Sequence, residues 1–205
     1  MKKTDNKKRY AMAIDLRRCI GCHSCSVACK SENRVPLGVF RSWVKIIEKG
    51  RYPNITRHFL PTLCNQCDHP PCVINCPVQA TWKQDDGIVI IDEHRCIGCK
   101  YCLASCPYNA RYINPLIPIV QKCYFCHHRV SAGLQPACVE VCPARARIFG
   151  DVNNPNEEIT KLISKHPFQV LKHEMGTFPQ VYYIAADLDA MDPFAGKRDG
   201  SKHHL

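Results

Sequence analysis

Sixteen of the 205 residues are cysteine, and they fall into four groups of four. The groups are Cys19, Cys22, Cys25 and Cys29; Cys64, Cys67, Cys72 and Cys76; Cys96, Cys99, Cys102 and Cys106; and Cys123, Cys126, Cys138 and Cys142. Every group opens with a C-x2-C pair. Such pairs make poor staples, because a disulfide between them closes only a tiny loop, and disulfide frameworks of small secreted domains are spaced irregularly. The regularity therefore points to metal ligation, not cross-linking.

The first and third groups share the spacing C-x2-C-x2-C-x3-C, and Pro107 completes the bacterial ferredoxin run in the third. An iron–sulfur cubane takes four soft thiolates. Three cysteines in C-x2-C-x2-C wrap one tight loop, while the fourth is carried away and reaches a neighbouring cluster. Four groups of four match the ligand count of four [4Fe–4S] clusters. Groups two and three are close in sequence and form one compact pair, which leaves groups one and four as the other. Zinc is the chemical rival, but its sites use two pairs, or pairs with histidine, and rarely this run. His23, His69, His127 and His128 lie inside the cysteine motifs. With every group already complete in cysteine, they are expected beside the clusters or in solvent. His203 and His204 fall in the tail and carry no assigned role.

The length allows one large domain or two small ones, and with the cysteines committed to metal, cluster binding must supply much of the folding free energy. The formal charge of +10 suggests an anionic partner. Cluster arithmetic removes most of it: the thiolates bring about −16 and four oxidised cores about +8, leaving the loaded protein near about +2. Much of the Lys and Arg excess is thus required near the clusters, and with no nucleic-acid motif present a nucleic-acid partner is not expected. The start, MKKTDNKKRY, runs into a cysteine motif without an apolar stretch, and Arg17-Arg18 leads directly into Cys19, so neither an export signal nor a membrane span is expected.

An internal repeat of order A-B-A′-B′ is visible. Ile14–Cys29 matches Ile91–Cys106, and Pro70–Ala80 matches Pro136–Ala146. Strands are predicted at Tyr10–Asp15 and Gly87–Asp92, ahead of each A motif. One helical turn is predicted between the last two cysteines of each A motif. Proline follows Cys76, Cys106 and Cys142 and stops any helix there, whereas Lys30 follows Cys29 and lets that helix run toward Asn33. Phe40–Lys49 and Ile55–Leu60 read as a hairpin around a turn at Gly50–Asn54. Asn154 and Pro155 read as N-cap and first residue of a helix to about His166, with Ile159, Leu162 and Ile163 inward. Val181–Ala186 reads as a last strand, and a loose tail begins at Met191.

Arg18, Arg95 and Lys100 flank ligands and either raise reduction potentials or solvate the surface. Trp82, Tyr101, Tyr108, Tyr124 and Phe125 are expected to shield clusters from water. Asp85-Asp86-Gly87 reads as a turn, and no nucleophile–base pair or phosphate loop stands out. No catalytic residue is assigned; the chemistry read from these motifs is electron transfer.

The runs CNQCDHPPCVINCP, CIGCKYCLASCPYNARY and KCYFCHHRVSAGLQPACVEVCP, with LKHEMGTFPQVYYIAAD near the end, resemble the four-cluster iron–sulfur subunit of molybdopterin oxidoreductases of anaerobic respiration. Within that family the similarity is greatest to the iron–sulfur components of polysulfide, thiosulfate and tetrathionate reductases, over about Tyr10 to Asp187. The resemblance implies an α+β fold of two intertwined ferredoxin-like modules, each with two clusters, plus the inserted hairpin and a C-terminal helix and strand. Expected boundaries are a basic lead at 1–9, one module from 10–60 (hairpin 40–60) and 120–150, the other from 61–119, a docking extension at 151–190 and a tail at 191–205. It also implies the ligand sets. Cys96, Cys99, Cys102 and Cys76 hold the cluster facing a molybdopterin catalytic subunit, and Cys64, Cys67, Cys72 and Cys106 the next. Cys123, Cys126, Cys138 and Cys29 hold the third, and Cys19, Cys22, Cys25 and Cys142 the one nearest an integral quinol-oxidising anchor subunit. The expected location is the periplasmic face of the cytoplasmic membrane, reached with an exported partner, or else the cytoplasm. A free multi-cluster carrier is the competing reading, and a zinc-stabilised interaction module the next. Tetrathionate, thiosulfate, polysulfide and arsenate all remain open as terminal substrates.

Overall fold

Residues 7–192 and 197–198 are described by a computed structural model; His203 and His204 lie outside them. In chain order, β1 (Tyr10–Asp15) leads through the first cysteine loop into α1 (Ser24–Glu32). The hairpin β2 (Ser42–Arg51) and β3 (Asn54–Leu63) follows. A run of short elements comes next: α2 (Pro71–Ile74), β4 (Thr81–Lys83), β5 (Val89–Ile91), α3 (Tyr101–Ala104), β6 (Arg111–Ile113) and β7 (Val120–Lys122). The last cysteine group spans α4 (His127–Ser131) and α5 (Ala137–Glu140). The polypeptide closes with β8 (Arg147–Asp151), α6 (Glu158–Lys165), β9 (Phe168–Gln169), β10 (Val181–Ile184), α7 (Leu188–Met191) and β11 (Lys197–Arg198). The architecture is small and mixed α and β, as the sequence predicts.

The largest sheet has the order β8-β1-β10-β9, with β1 parallel to β10 and antiparallel to β8. Strand residues alternate between faces. Ala11 and Ala13 point to one side, where α6 sets Ile159 against them with Ile148 and Ile184. Met12 and Ile14 point to the other, into the main core of Val44, Leu60, Leu63, Phe125, Phe149 and Tyr183. Being buried on both faces, β1 reads as an unbroken apolar run. The small alanines let α6 approach the sheet, and Leu162 and Ile163 complete its inner face.

Several boundaries depart from the sequence reading. In the hairpin, Arg51 pairs with Asn54, so the loop is only Tyr52-Pro53, and Gly50 and Asn54 lie within paired strand. Strand β3 also continues through Pro61 to Leu63, which a proline permits on the edge of a sheet. Helix α6 starts at Glu158, not near Pro155. Asn154 spends its Oδ1 on the backbone N–H of Asn156, forming a local turn that competes with helix capping. Strand β10 ends at Ile184 because Ala185 adopts a left-handed backbone with φ of 56°. Helix α1 runs to Glu32 with Asn33 at its end, as the lysine in place of proline predicts. Beyond Met191, Lys197 and Arg198 pair with Ile46 and Lys45 of β2.

Candidate metal centres

The cysteine loops are shaped by left-handed residues at matching places. Gly21 and Gly98, the third residues of the two C-I-G-C runs, both have φ of +67°. A Cβ on Gly21 would meet the Phe59 ring at 2.3 Å, and one on Gly98 the Pro118 carbonyl oxygen at 2.2 Å, so only glycine fits. His23 and Lys100 follow with φ of 60° and 68° and open α1 and α3.

A second local device recurs after the proline-linked cysteines. In each C-P-x-x-A run the fourth residue (Gln79, Asn109, Arg145) is left-handed, and the backbone curls back. The N–H of Ala80 then donates to Cys76 Sγ at 3.2 Å, and that of Ala146 to Cys142 Sγ at 3.3 Å. Ala110 and Tyr108 present their N–H groups to Cys106 in the same way. Donors aimed at sulfur favour the thiolate that metal binding requires. Cys29 lacks the proline run. There the side chain of Asn33 substitutes, with Nδ2 at 3.7 Å from both Cys29 Sγ and Cys126 Sγ.

The sixteen cysteines gather into four sets. One cavity is lined by Cys76, Cys96, Cys99 and Cys102. Another is lined by Cys29, Cys123, Cys126 and Cys138, and a third by Cys19, Cys22, Cys25 and Cys142. The remaining four are also neighbours: burial, then Cys64, Cys72 and Cys106, pushes the Cys67 thiol up to about 12, against a hydrogen bond from Thr177. Burial followed by Cys138 and Cys126 likewise pushes Cys29 up to about 12. All sixteen sulfurs are free of disulfides.

Consecutive sets also lie within electrostatic reach of one another. Burial raises Cys102 against the charge of Arg111, and Cys72 of the adjoining set adds to the rise. Burial raises Cys123 too, with Cys29 and Cys126 and then Cys64 from a neighbouring set. Cys138 is raised by burial against Arg147, with Cys126 and then Cys25 adding. These influences order the sets in a line: the set of Cys102, that of Cys72 and Cys64, that of Cys123 and Cys138, that of Cys25. Cys99 at one end and Cys22 at the other are exposed.

Four cations are buried among these thiols: Arg41, Arg111, Lys122 and Arg147 are 2–4% exposed. Arg111 and Lys122 are even direct cross-strand partners in β6 and β7, a pairing that repels. Charges buried this deeply need a counter-charge. Burial opposes the charge of Arg111, Lys122 and Arg147 and nearby thiols favour it, whereas Tyr112 and Tyr124 act on Arg41, whose own charge acts on Cys29. Sequence reasoning looked instead to Arg18, Arg95 and Lys100, which are all exposed. The buried four went unremarked, although a basic residue in the C-P-x-x-A-R run was a legible signal. Of the aromatics, Phe125 is buried and Tyr108 and Tyr124 partly so, while Tyr101 stands in solvent and Trp82 is on the surface. His128 pairs with Glu32, His69 packs on Phe178, and His127 lies near Ser131.

The residues fit anionic iron–sulfur clusters. Among the described residues, buried side-chain atoms without a hydrogen-bond partner fall on Ser26, Asn65, Ser105, Arg111 and Arg147, with Gln84 as the exception. The first three adjoin Cys25, Cys64 and Cys106, and the arginines face thiols. A lone zinc ion would draw its sulfurs to about 3.8 Å apart, from a zinc–sulfur bond of ~2.3 Å. Among the described residues no group of three or more His, Cys, Asp or Glu is placed to hold a single metal ion.

Comparisons with known proteins agree. Residues 55–152 match the 4Fe-4S dicluster domain family. The sequence is 49% identical over 195 residues to the B subunit of tetrathionate reductase from Salmonella typhimurium, covering 93% of this chain and 78% of that one. It is 40% identical over 217 residues to the B subunit of selenate reductase from Mesobacillus selenatarsenatis (90% and 74% covered). It is 39% identical over 180 residues to the B component of polysulfide reductase from Wolinella succinogenes (86% and 94% covered). With its cysteine motifs, its dicluster match and these relatives, this protein belongs to the family of [4Fe–4S] iron–sulfur electron-transfer subunits of molybdopterin oxidoreductases.

Proposed function

We propose that this protein relays single electrons through four [4Fe–4S] clusters between a quinol-oxidising membrane subunit and a molybdopterin catalytic subunit. The catalytic partner reduces a sulfur (or arsenic) oxyanion or polysulfide. The observation that carries this reading is the line of four cysteine sets, closed in the middle and open at both ends.

In this reading Cys76, Cys96, Cys99 and Cys102 hold one terminal cluster, and Cys64, Cys67, Cys72 and Cys106 the next. Cys29, Cys123, Cys126 and Cys138 hold the third, and Cys19, Cys22, Cys25 and Cys142 the other terminal one. The sets form two modules, 61–119 and 10–60 with 120–150, each exchanging its last cysteine between partner sets. When bound, each cluster takes up and gives back one electron. The protein's own residues do the rest. Buried thiols and Phe125 keep water from the middle sets, while backbone N–H groups and buried cations stabilise thiolate charge.

Both ends carry apolar surface for partners. Ile20 beside Cys19 is 61% exposed and Ile97 beside Cys96 is 64% exposed, with Ile74 and Tyr101 flanking the latter end. Exposed aliphatic side chains around a solvent-open ligand suit docking surfaces better than a freely diffusing carrier. Among the described residues no helix is long and apolar enough to cross a membrane, so the quinol side is assigned to a separate subunit. The similarity to a tetrathionate reductase component supports a sulfur oxyanion as the terminal substrate.

Anaerobic pull-down from native membranes, with mass spectrometry of the bound proteins, tests the assignment. Recovery of a molybdopterin subunit and a membrane subunit is expected. Recovery of the brown protein alone would replace this reading with a free carrier.

A further inference from the structure

Two arginines occupy equivalent places in the internal repeat. Arg111 closes the run from Cys106 (C-P-Y-N-A-R), and Arg147 closes the run from Cys142 (C-P-A-R-A-R). At the same step after Cys76 stands Thr81, whose Oγ1 accepts a hydrogen bond from Arg111 Nη1 at 3.3 Å. The Cys29 run has no such turn, and β2 supplies the hydroxyl instead: Ser42 Oγ accepts from Arg147 Nη2 at 2.9 Å. Two unrelated segments thus build the same arrangement of a buried guanidinium steadied by one hydroxyl.

Among the described residues each guanidinium retains a buried nitrogen without a partner, Nη2 in Arg111 and Nε in Arg147. Each also lies between two cysteine sets. Arg111 faces Cys72 and Cys64 of one set and Cys102 of the next. Arg147 faces Cys25 of one set and Cys138 and Cys123 of the next. Burial opposes the charge of both, and the groups that most favour it are these thiols, with Tyr183 among them at Arg147. Lys122 stands at the remaining junction, near Cys64, Cys72 and Cys123. Every junction in the line therefore carries a buried cation.

Resting on the four-cluster reading above, we propose that Arg111 and Arg147 are positioning residues for electron transfer, each raising the reduction potentials of both clusters in its own module and of neither in the other. Four thiolates around an oxidised cubane carry about two net negative charges, and reduction by one electron adds another. A guanidinium between two sets opposes that added charge at both, and arginine keeps its charge at any working pH. Reduction is thereby favoured at two clusters together, which keeps the step between them close to level.

The test is a dithionite titration of the purified holocomplex, followed by electron paramagnetic resonance, with iron and sulfide content measured alongside. Arg111→Gln is expected to lower the reduced-to-oxidised ratio about tenfold at a fixed poise, about 59 mV for a one-electron couple. The shift should be confined to the two clusters of the 61–119 module. Arg147→Gln is expected to do the same to the other pair only. Arg111→Lys and Arg147→Lys keep the charge but lose the fork, and should show smaller shifts in the same pairs with full iron content. They carry the test if a glutamine variant loses its clusters. Full iron with unchanged potentials in the lysine and glutamine variants would overturn the proposal, as would shifts spread over all four clusters. Wild-type protein lacking cluster signals would instead overturn the four-cluster reading.

Discussion

Lys122→Met separates a cation that serves the clusters from one that merely fills the core. The Lys122 side chain is 2% exposed, and methionine of similar length replaces its stem while removing charge and donors. Its Nζ donates to the carbonyl oxygens of Val89 and Cys123. The Cys123 carbonyl keeps a second donor, Gln66 Nε2 at 2.8 Å. Among the described residues the Val89 carbonyl has no second donor. Gln84 N–H bonds Ile88 O across the β4–β5 ribbon, so the alternation of the ladder turns both polar groups of Val89 outward. Its N–H finds Gln66 Oε1 and its carbonyl finds Lys122. The substitution therefore orphans one buried acceptor, costing about 1–3 kcal/mol, before any loss of attraction to thiolates. In the loaded protein this should speed unfolding about five- to 150-fold, read as anaerobic bleaching of the visible absorption in guanidinium. In metal-free protein the effect should shrink or reverse, since removing a desolvated cation with no clusters nearby relieves a burial cost. Bleaching of the loaded variant at the wild-type rate or slower would refute the reasoning.

Further expectations concern the loops, the pH dependence of loading and the second core. Gly98→Ala places a Cβ against the Pro118 carbonyl at a left-handed residue, and should lower iron content of the isolated protein while an exposed control, Gly133→Ala, does not. Burial, Cys138 and Cys126 hold the Cys29 thiol up to about 12 in the metal-free fold, yet iron takes the thiolate. A folded pKa raised above the unfolded value keeps the group protonated at neutral pH, so reconstitution with iron and sulfide should speed up as pH rises from about 7 to about 9. A flat or falling profile contradicts this. Ile159→Ala empties a fully buried site between α6 and β1 and should cost about 2–5 kcal/mol in guanidinium unfolding. The line of cysteine sets lies elsewhere, so its electron paramagnetic resonance spectrum should stay unchanged.

The sequence carried the ligand chemistry because cluster loops are local. A spacing of two residues and a left-handed glycine determine a loop before any tertiary contact forms, which is why the repeat of Ile14–Cys29 in Ile91–Cys106 was legible. Strand β1 and helix α1 were equally legible, one from an apolar run and the other from Lys30 standing where proline would stop it. Helix α6 was placed early because Asn154 can either cap a helix or close a turn, and only the tertiary fold chooses. The three-residue strands β4, β6 and β7 are too short to show a period. The buried cations were hidden for another reason. Arg111, Lys122 and Arg147 look like any basic residues in a protein of net charge +10, and only folding shows them among thiols, remote from water.

The central claim is most directly tested by iron and acid-labile sulfide analysis of the protein purified anaerobically in its complex. About sixteen iron and about sixteen sulfide per copy are expected, as four sets of thiolates each complete a [4Fe–4S] cluster. Half that iron or less in protein that is fully folded, or zinc in its place, would contradict it.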